Sequence, residues 1–314
     1  MKNFADNLLD KIDKKENPSD VGLDPRLNKI PKSIIEEMVG KFGKSFEAVG
    51  ASFFEFNKRI IDAIKDIVPA VKPQMAFYEQ YGFHGVKAFV DTAEYAKKKG
   101  LIVIEDAKRN DIGSTAQAYS DGHIGMVDFF DRKENSLNVD CITVNPYLGS
   151  DGVLPFIESV KNYGKGIFVL VKTSNPSSGE FQDVTTSEGV KNFVLVANNV
   201  KKWCEETVGK SGYGSVGAVV GATYPEQATE LRKIMDKSIF LVPGYGAQGG
   251  GAKDVVPCFN KDGHGAIVNS SRGIIFAYEK GWKPEQFAEA AREAAMKMKE
   301  DICGALKQAN RCSW

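Results

Sequence analysis

The amino-acid sequence predicts an α/β protein built as a closed (β/α)8 barrel, the TIM-barrel fold with a parallel eight-stranded core. Eight short, β-branched apolar segments recur along the 314 residues, and segments with helical periodicity separate them. Most of the apolar segments are nearly continuous, which is typical of parallel strands buried on both faces. Regular alternation of strand and helix favours a closed barrel. A doubly wound open sheet is the alternative, although it rarely contains so many evenly spaced parallel strands.

Predicted strands and helices alternate along the chain. The predicted strands are residues 21–24, 70–74, 101–108, 141–145, 166–172, 217–222, 239–244 and 266–271. Helical periodicity marks residues 52–67, 85–99 and 225–236, and Pro225 and Pro284 stand where a first helical turn would begin. Residues 24–70 are long enough for two helices, and residues 172–217 leave room for a substantial loop. We expect residues 1–314 to form one barrel domain with an N-terminal helical extension and a C-terminal helix.

The composition excludes several classes of protein. The chain has 41 Lys plus Arg and 41 Asp plus Glu, so no net positive charge favours binding to nucleic acid or to an acidic membrane. The longest apolar runs have strand length, and the N-terminus lacks a signal core. The five cysteines are scattered without a Cys-x-x-Cys pair, which favours a reducing compartment and argues against a zinc site. We therefore expect a cytoplasmic protein with no membrane or nucleic-acid partner and no metal; His84, His123 and His264 also lack metal-ligand spacing.

The third predicted strand ends in charged residues. Strand alternation places Asp106 and Lys108 on the same face, and Asp111 follows the strand end. Lys72 lies inside the second apolar strand and needs a partner there. We expect Lys72, Asp106, Lys108 and Asp111 to form a charge-balanced network at the C-terminal mouth of the barrel. A purely structural plug is the alternative, but barrels usually fill their interiors with Val, Ile and Leu.

The ends of the seventh and eighth predicted strands indicate a phosphate site. Residues 243–251 are rich in glycine and expose backbone N–H groups, and Arg272 offers a two-pronged donor. The loops after these two strands are the recurrent phosphate site of such barrels. A tight turn would account for the glycines but not for Arg272.

The surroundings of Lys108 favour proton donation. A lysine that forms a Schiff base needs burial or a neighbouring cation, whereas carboxylates beside Lys108 favour its charged form. A carboxylate such as Asp106 would destabilise an anionic group of a bound substrate. The pair therefore suggests loss of a carboxylate from the substrate and protonation of the carbanion that remains.

These motifs resemble one enzyme family. Residues 106–112, reading Asp-Ala-Lys-Arg-Asn-Asp-Ile, resemble the Asp-x-Lys-x-x-Asp signature of the orotidine 5'-monophosphate decarboxylases. Lys72, the glycine-rich loop and Arg272 occur in the family's order. Val-Lys-Pro-Gln at 71–74 and Val-Asn-Pro-Tyr-Leu-Gly at 144–149 are similar to its longer bacterial-type (type 2) branch.

The resemblance implies a reaction without metal or cofactor, the decarboxylation of orotidine 5'-monophosphate to uridine 5'-monophosphate (UMP), the last step of de novo UMP biosynthesis. It implies that Asp106 destabilises the substrate carboxylate, that Lys108 protonates C6 of the pyrimidine, and that Lys72 bridges Asp106 and the ribose. The remaining implied roles are ribose binding by Asp24, pyrimidine binding by Ser174, phosphate binding by Gln248 and Arg272, and contribution of Asp111, Ile112 and Thr115 to the neighbouring subunit's site in a homodimer with shared active sites.

Two other functions fit parts of the pattern. A magnesium-dependent phosphosugar decarboxylase of the same superfamily resembles the chain, but it places an acidic metal ligand where this chain has Lys72, and a cation there would repel the metal. A catalytically silent nucleotide-binding barrel would not need both Asp106 and Lys108. Glu105, Arg109, Asn145 and Asp151 receive no role in the chemistry.

Overall fold

The computed structural model contains a closed barrel of eight parallel strands, and it describes residues 2–246, 249–312 and 314. Around the barrel the strands follow the order β1-β2-β3-β6-β7-β8-β9-β10 and return to β1. The predicted fold class is confirmed, and each predicted barrel strand overlaps an observed one. The strands are β1 Ser19–Leu23, β2 Ala70–Pro73, β3 Ile102–Arg109, β4 Val127–Phe129, β5 Arg132–Glu134, β6 Cys141–Val144, β7 Gly166–Lys172, β8 Gly214–Val220, β9 Ser238–Val242 and β10 Ala266–Ser270.

Helices cover the outside of the barrel. Two of them lie between β1 and β2, as predicted. The second begins at Phe46, six residues before the predicted segment 52–67. It starts there because Ser45 Oγ caps the helix by accepting a hydrogen bond from the Ala48 backbone N–H at 3.2 Å. The α-helices are α1 Phe4–Lys15, α2 Lys32–Phe42, α3 Phe46–Ile64, α4 Ala76–Glu79, α5 Gly82–Lys98, α6 Gly113–His123, α7 Ser150–Tyr163, α8 Gly179–Gln182, α9 Asn192–Glu205, α10 Pro225–Ile234, α11 Ala252–Val255, α12 Arg272–Ile275 and α13 Phe287–Gln308. Short 3-10 helices span Leu27–Lys29, Pro176–Ser178, Val256–Cys258, Ala277–Glu279 and Pro284–Gln286.

The N-terminal helix α1 packs against the core inside the barrel. Its buried apolar face joins barrel residues in one hydrophobic cluster, and the ring of Phe4 meets the ring of Phe168 edge to face. Gly166 makes this contact possible, because a Cβ at that position would lie 2.3 Å from the Phe4 ring. Gly166 begins β7, so α1 closes the N-terminal end of the barrel and leaves the C-terminal end for a site.

A two-stranded hairpin of β4 and β5, which the sequence did not predict, lies between α6 and β6. Its strands are short and largely exposed, and Phe130 at its turn is 96% exposed with a φ of 57°. A strand without a buried face lacks the apolar alternation that marks strands in a sequence.

Within the described ranges, none of the helices has the length and apolar character needed to cross a membrane.

Candidate active site

A cavity of about 500 Å³ opens at the C-terminal ends of the barrel strands. Polar residues that follow different strands meet here, because all eight strands are parallel and their C-terminal ends lie at the same rim of the barrel. Gln248 lies outside the described residues, and Asp111, Ile112 and Thr115 do not line the cavity of their own chain. The predicted site residues that line it are Asp24, Lys72, Asp106, Lys108, Ser174 and Arg272.

Asp106 is the centre of the polar network in this cavity. Its Oδ2 lies 2.9 Å from Lys72 Nζ, and its Oδ1 lies 2.5 Å from Lys108 Nζ. Thr143 Oγ1 also donates to Oδ1, at 3.0 Å. Burial alone would raise the pKa of Asp106, but the two lysines outweigh it and hold the pKa well below its usual range. Asp106 is therefore an ionised carboxylate fixed from both sides.

Thr143 is a member of this network that the sequence analysis missed. It lies in β6, next to β3 in the barrel, and its Oγ1 also accepts a hydrogen bond from the Lys108 backbone N–H at 2.9 Å. The one signal for it was a polar residue within the apolar segment 141–144. Threonine is common in strands for reasons of packing alone, so that signal could not identify a functional residue.

Lys72 is buried beneath the cavity mouth. Burial disfavours its charge, but the carboxylates of Asp106, Asp24 and Asp20 outweigh this effect and raise the pKa of Lys72 above its ordinary value. The ammonium is therefore a fixed positive charge. It holds Asp106 in place, because a buried ammonium is stable only when a carboxylate is paired with it.

Lys108 has a strained backbone at the end of β3. Its φ is 49°, a left-handed conformation that costs a non-glycine residue roughly 1–2 kcal/mol. The pairing of β3 with β6 shifts register between Glu105 and Arg109, so the strand bulges around this position. The side chain remains 44% exposed and lines the cavity, which leaves its ammonium accessible to a ligand.

Two carboxylates of β1 and the loop that follows it lie near Lys72. Asp24 Oδ1 is buried and has no hydrogen-bond partner within the described part of the chain. Burial raises the pKa of Asp24, against the opposing effect of Lys72. Asp20, which the sequence analysis did not single out, is fully buried and accepts a hydrogen bond from Asn269 Nδ2. Burial raises the pKa of Asp20 to about 7, although Lys72 opposes this shift.

The loop after β9 and the start of α12 form another side of the cavity. Gly244, Gly246 and Gly249 have φ values of 103°, 74° and 96°, which glycine adopts without strain. Tyr245 anchors this loop, because its hydroxyl donates to Asp301 Oδ2 of α13 at 2.5 Å. Arg272 is exposed, and no hydrogen bond or ion pair to its guanidinium is found within residues 2–246, 249–312 and 314.

Asp111 is not bonded to Lys72, Asp106 or Lys108 within one chain. Its Oδ1 accepts a local hydrogen bond from the Ile112 backbone N–H at 2.8 Å. Asp111 lies in the connection between the end of β3 at Arg109 and the start of α6 at Gly113, and it does not line the cavity of its own chain. One chain therefore brings together three of the four predicted network members.

A second network of charged side chains lies on the outer side of β3. Glu105 is fully buried, and its Oε2 lies 2.7 Å from His123 Nδ1. Arg109 Nε donates to His123 Nε2 at 3.4 Å and forms an ion pair with Glu79. None of these groups lines the cavity, in keeping with the expectation that Glu105 and Arg109 take no part in the chemistry, and they support β3 from its outer side.

The other polar residues at the strand ends have local roles. Asn145 Oδ1 accepts a hydrogen bond from the Tyr147 backbone N–H at 3.0 Å, and Asp151 lies in the first turn of α7. Among the described residues, no three His, Cys, Asp or Glu side chains are grouped so that they could hold a metal ion.

The fold and the site together define a class: a (β/α)8-barrel enzyme with a lysine–carboxylate–lysine centre at the C-terminal mouth. Residues 48–287 match the model of the Orotidine 5'-phosphate decarboxylase / HUMPS family, so the chain belongs to that family. The resemblance inferred from the motifs is confirmed.

Curated bacterial relatives show the same relationship over nearly the full length. The chain is 43% identical to an orotidine 5'-phosphate decarboxylase of Caldicellulosiruptor saccharolyticus, over 98% of this chain and 100% of the relative. It is 46% identical to one of Rhodopirellula baltica, over 94% of each chain. The solved structure of Leishmania donovani OMP decarboxylase superimposes with a TM-score of 0.71 at 29% identity, covering 96% of this chain and 98% of that one.

Proposed function

We propose that the protein decarboxylates orotidine 5'-monophosphate to UMP without a metal or cofactor. The observation that carries this proposal is the ionised Asp106 held between Lys72 and Lys108 in a cavity that Arg272 also lines. The family relationship supports the same substrate, because its curated relatives are named for this reaction.

In the proposed reaction the bond between C6 and the substrate carboxylate breaks, CO₂ leaves, and the electron pair stays on C6. Lys108 Nζ then transfers a proton to C6, which gives UMP. Asp106 acts before this step, because its negative charge repels the substrate carboxylate in the ground state. The 2.5 Å contact between Lys108 Nζ and Asp106 Oδ1 supports this assignment, since it keeps the proton donor beside the group that the departing carboxylate faces.

Recognition of the nucleotide is assigned to the rim of the cavity. Asp24 would accept hydrogen bonds from the ribose hydroxyls, and its unpartnered buried Oδ1 supports that role. Lys72 would bridge Asp106 and the ribose, and Ser174 would bond the pyrimidine. Gln248 and Arg272 would hold the phosphate.

We further propose a homodimer in which each subunit completes its neighbour's site with Asp111, Ile112 and Thr115. Ile112 is 52% exposed although it is a large apolar residue. Tyr147 and Phe181, which follow the next two barrel strands, are also exposed. Large exposed apolar residues after three neighbouring strands support a subunit interface on this side of the barrel.

We assign the enzyme to the cytoplasm. All five cysteines are free thiols, and four of them are buried. This thiol chemistry is typical of a reducing compartment.

The reaction has a direct test. The protein is incubated with orotidine 5'-monophosphate in EDTA, and the loss of orotate absorbance is followed. Steady turnover in EDTA is the expected result. Turnover that only magnesium restores would favour metal-dependent chemistry, and binding without turnover would favour a silent nucleotide-binding barrel; either result would overturn the proposal.

A further inference from the structure

A buried lysine outside the proposed catalytic centre lies at the end of β7. Lys172 has a fully buried side chain, and its Nζ is 4.5 Å from the centre of the Tyr224 ring and 5.9 Å from that of Phe193. An ammonium in such a place is costly unless it is paired. Its partner is Asp183, whose Oδ2 lies 2.8 Å from Nζ. None of the roles proposed above uses this ion pair.

The ion pair joins the two ends of the loop that carries Ser174. This segment, residues 173–183, is called the Ser174 loop here. Lys172 directly precedes the loop, and Asp183 follows the last residue of α8. Gln227 Nε2 also donates to Asp183 Oδ1 at 3.1 Å, so both carboxylate oxygens are held by groups of the barrel body.

Further contacts carry this restraint toward the cavity. Gln182 Oε1 accepts from the Thr173 backbone N–H at 2.9 Å, and its Nε2 donates to Thr173 Oγ1 at 2.8 Å. Tyr224, whose ring lies beside Lys172, donates through its hydroxyl to the Asn175 carbonyl at 3.4 Å. Thr173, Ser174, Asn175 and Gln182 all line the cavity.

Close packing transmits the position of the loop to Ser174 itself. A Cβ at Gly221 would lie 2.9 Å from Ser174 Cα, so the loop backbone rests directly against this glycine. Thr223 Oγ1 also donates to the Ser174 carbonyl at 3.4 Å. These contacts hold the loop against residues 221–227.

We propose that Lys172 is a positioning residue which, through its ion pair with Asp183, closes the Ser174 loop and holds Ser174 at the base-binding end of the cavity. The proposal rests on the function proposed above, because it assumes a pyrimidine nucleotide as ligand. Lys172 itself touches no substrate and acts through Ser174. The ion pair therefore contributes to recognition of the base and not to recognition of ribose or phosphate.

Two inhibitors separate these contributions: UMP, which carries the base, and ribose 5-phosphate, which lacks it. Lys172→Met keeps the aromatic pocket filled with a flexible side chain but frees Asp183. We expect the inhibition constant of UMP to rise about tenfold and that of ribose 5-phosphate to change less than about twofold. The control is Lys191→Met, because exposed Lys191 lies 5.7 Å from the same Phe193 ring, and it should leave both constants unchanged.

A second set of variants keeps the test decisive if Lys172→Met does not fold. Asp183→Asn preserves size and removes only the charge, and it should weaken UMP binding selectively as well. Combining the two changes should add little to the larger single effect, because the two side chains act as one unit. Ser174→Ala should likewise cause little further loss in the Lys172→Met protein.

The outcomes distinguish this inference from the proposed function. If the wild-type protein binds no UMP, the proposed function fails and this inference fails with it. If the wild type binds UMP and both charge-removing variants bind it equally well, only the positioning role is overturned. Parallel weakening of UMP and ribose 5-phosphate would indicate a general structural role and would also overturn it.

Discussion

At the scale of single residues, the site depends on how each charge is compensated. Asp106 accepts hydrogen bonds from three groups, so loss of one lysine leaves it partly satisfied. Lys108 differs from Lys72 in being largely accessible from the cavity, and its strained backbone is retained although a relaxed strand would be more stable. Strain of this kind is characteristic of functional positions.

The first prediction concerns Lys108. Lys108→Ala removes the proposed proton donor, whereas Lys72 and Thr143 continue to bond Asp106. We expect kcat to fall by about a thousandfold or more, because general acid catalysis typically contributes factors of 10²–10⁴. The affinity for UMP should change by less than about threefold, as calorimetry can measure. Lys133→Ala, on the exposed hairpin, is the control, and retained turnover in Lys108→Ala would contradict the assigned role.

The second prediction concerns the pH dependence of stability through Asp20. The pKa of Asp20 is about 7 in the folded protein, whereas an aspartate in the unfolded chain has the ordinary value of 3.8. Between these two pH values the folded chain therefore holds a proton that the unfolded chain has lost. This contribution to stability is therefore fully present below about pH 4 and declines as the pH rises toward 7. Asp20→Asn keeps an oxygen that can accept from Asn269 and removes the charge.

We expect Asp20→Asn to stabilise the protein at pH 8 by about 1–4 kcal/mol and to have a much smaller effect at pH 4. Urea denaturation across this pH range measures the difference. Asp128→Asn serves as the control, because Asp128 is an exposed residue of the hairpin. A stability difference that does not grow with pH would show that Asp20 is not the titrating group.

Sequence reasoning succeeded for residues whose type is unusual in their setting. A lysine inside an apolar strand and an Asp-x-Lys pair at a strand end were sufficient to group Lys72, Asp106 and Lys108. It missed Thr143 and the pairing of Glu105 with His123, which are ordinary residue types brought together only by tertiary structure. Their partners lie 37 and 18 positions away, and no local pattern encodes such a contact.

At the scale of elements, buried strands were predictable and exposed ones were not. The barrel strands are apolar because both of their faces are covered, and this produces a clear signal in the sequence. The hairpin of β4 and β5 has no such cover. The early start of α3 depends on the cap at Ser45, a single side-chain contact that the apolar periodicity of residues 52–67 does not contain.

The third prediction concerns the connection between α13 and the glycine-rich loop. The Tyr245 hydroxyl remains protonated and able to donate to Asp301, because burial and that carboxylate both raise its pKa. Tyr245→Phe should cost stability only about 0.5–1.5 kcal/mol, the usual contribution of one hydrogen bond. We expect the larger effect on the phosphate end of the site, with the inhibition constant of ribose 5-phosphate rising about three- to tenfold.

Tyr278→Phe is the matched control for this prediction. Its hydroxyl also bonds across elements, to the Lys29 carbonyl at 2.6 Å, but it belongs to the 3-10 helix Ala277–Glu279 and does not line the cavity. It should cause a similar loss of stability without weakening ribose 5-phosphate binding. Equal inhibition constants for Tyr245→Phe and the wild type would refute the anchoring role.

At the scale of the whole molecule, one chain does not contain all of the predicted site. Asp111 lies just past β3 and does not line the cavity of its own chain, and the large apolar residues Ile112 and Tyr147, which follow β3 and β6, are exposed. Sequence reasoning alone could place Asp111 near Lys108 but could not choose between the same site and a neighbouring one. The resemblance to the family favoured the neighbouring site, and the geometry of a single chain is compatible with that choice.

The last prediction tests the shared site by mixing two inactive proteins. Lys108→Ala subunits lack the proposed proton donor but keep Asp111, and Asp111→Ala subunits keep Lys108 but lack the carboxylate. In a mixed dimer, one of the two sites receives Lys108 from one subunit and Asp111 from the other and is complete. Equal mixing after full exchange gives half mixed dimers, so about a quarter of the wild-type activity per subunit should return. Exchange is verified by native mass spectrometry with one variant isotopically labelled. A mixture that exchanges fully and stays inactive would place both residues in the same subunit's site, because each mixed dimer would then contain two incomplete sites.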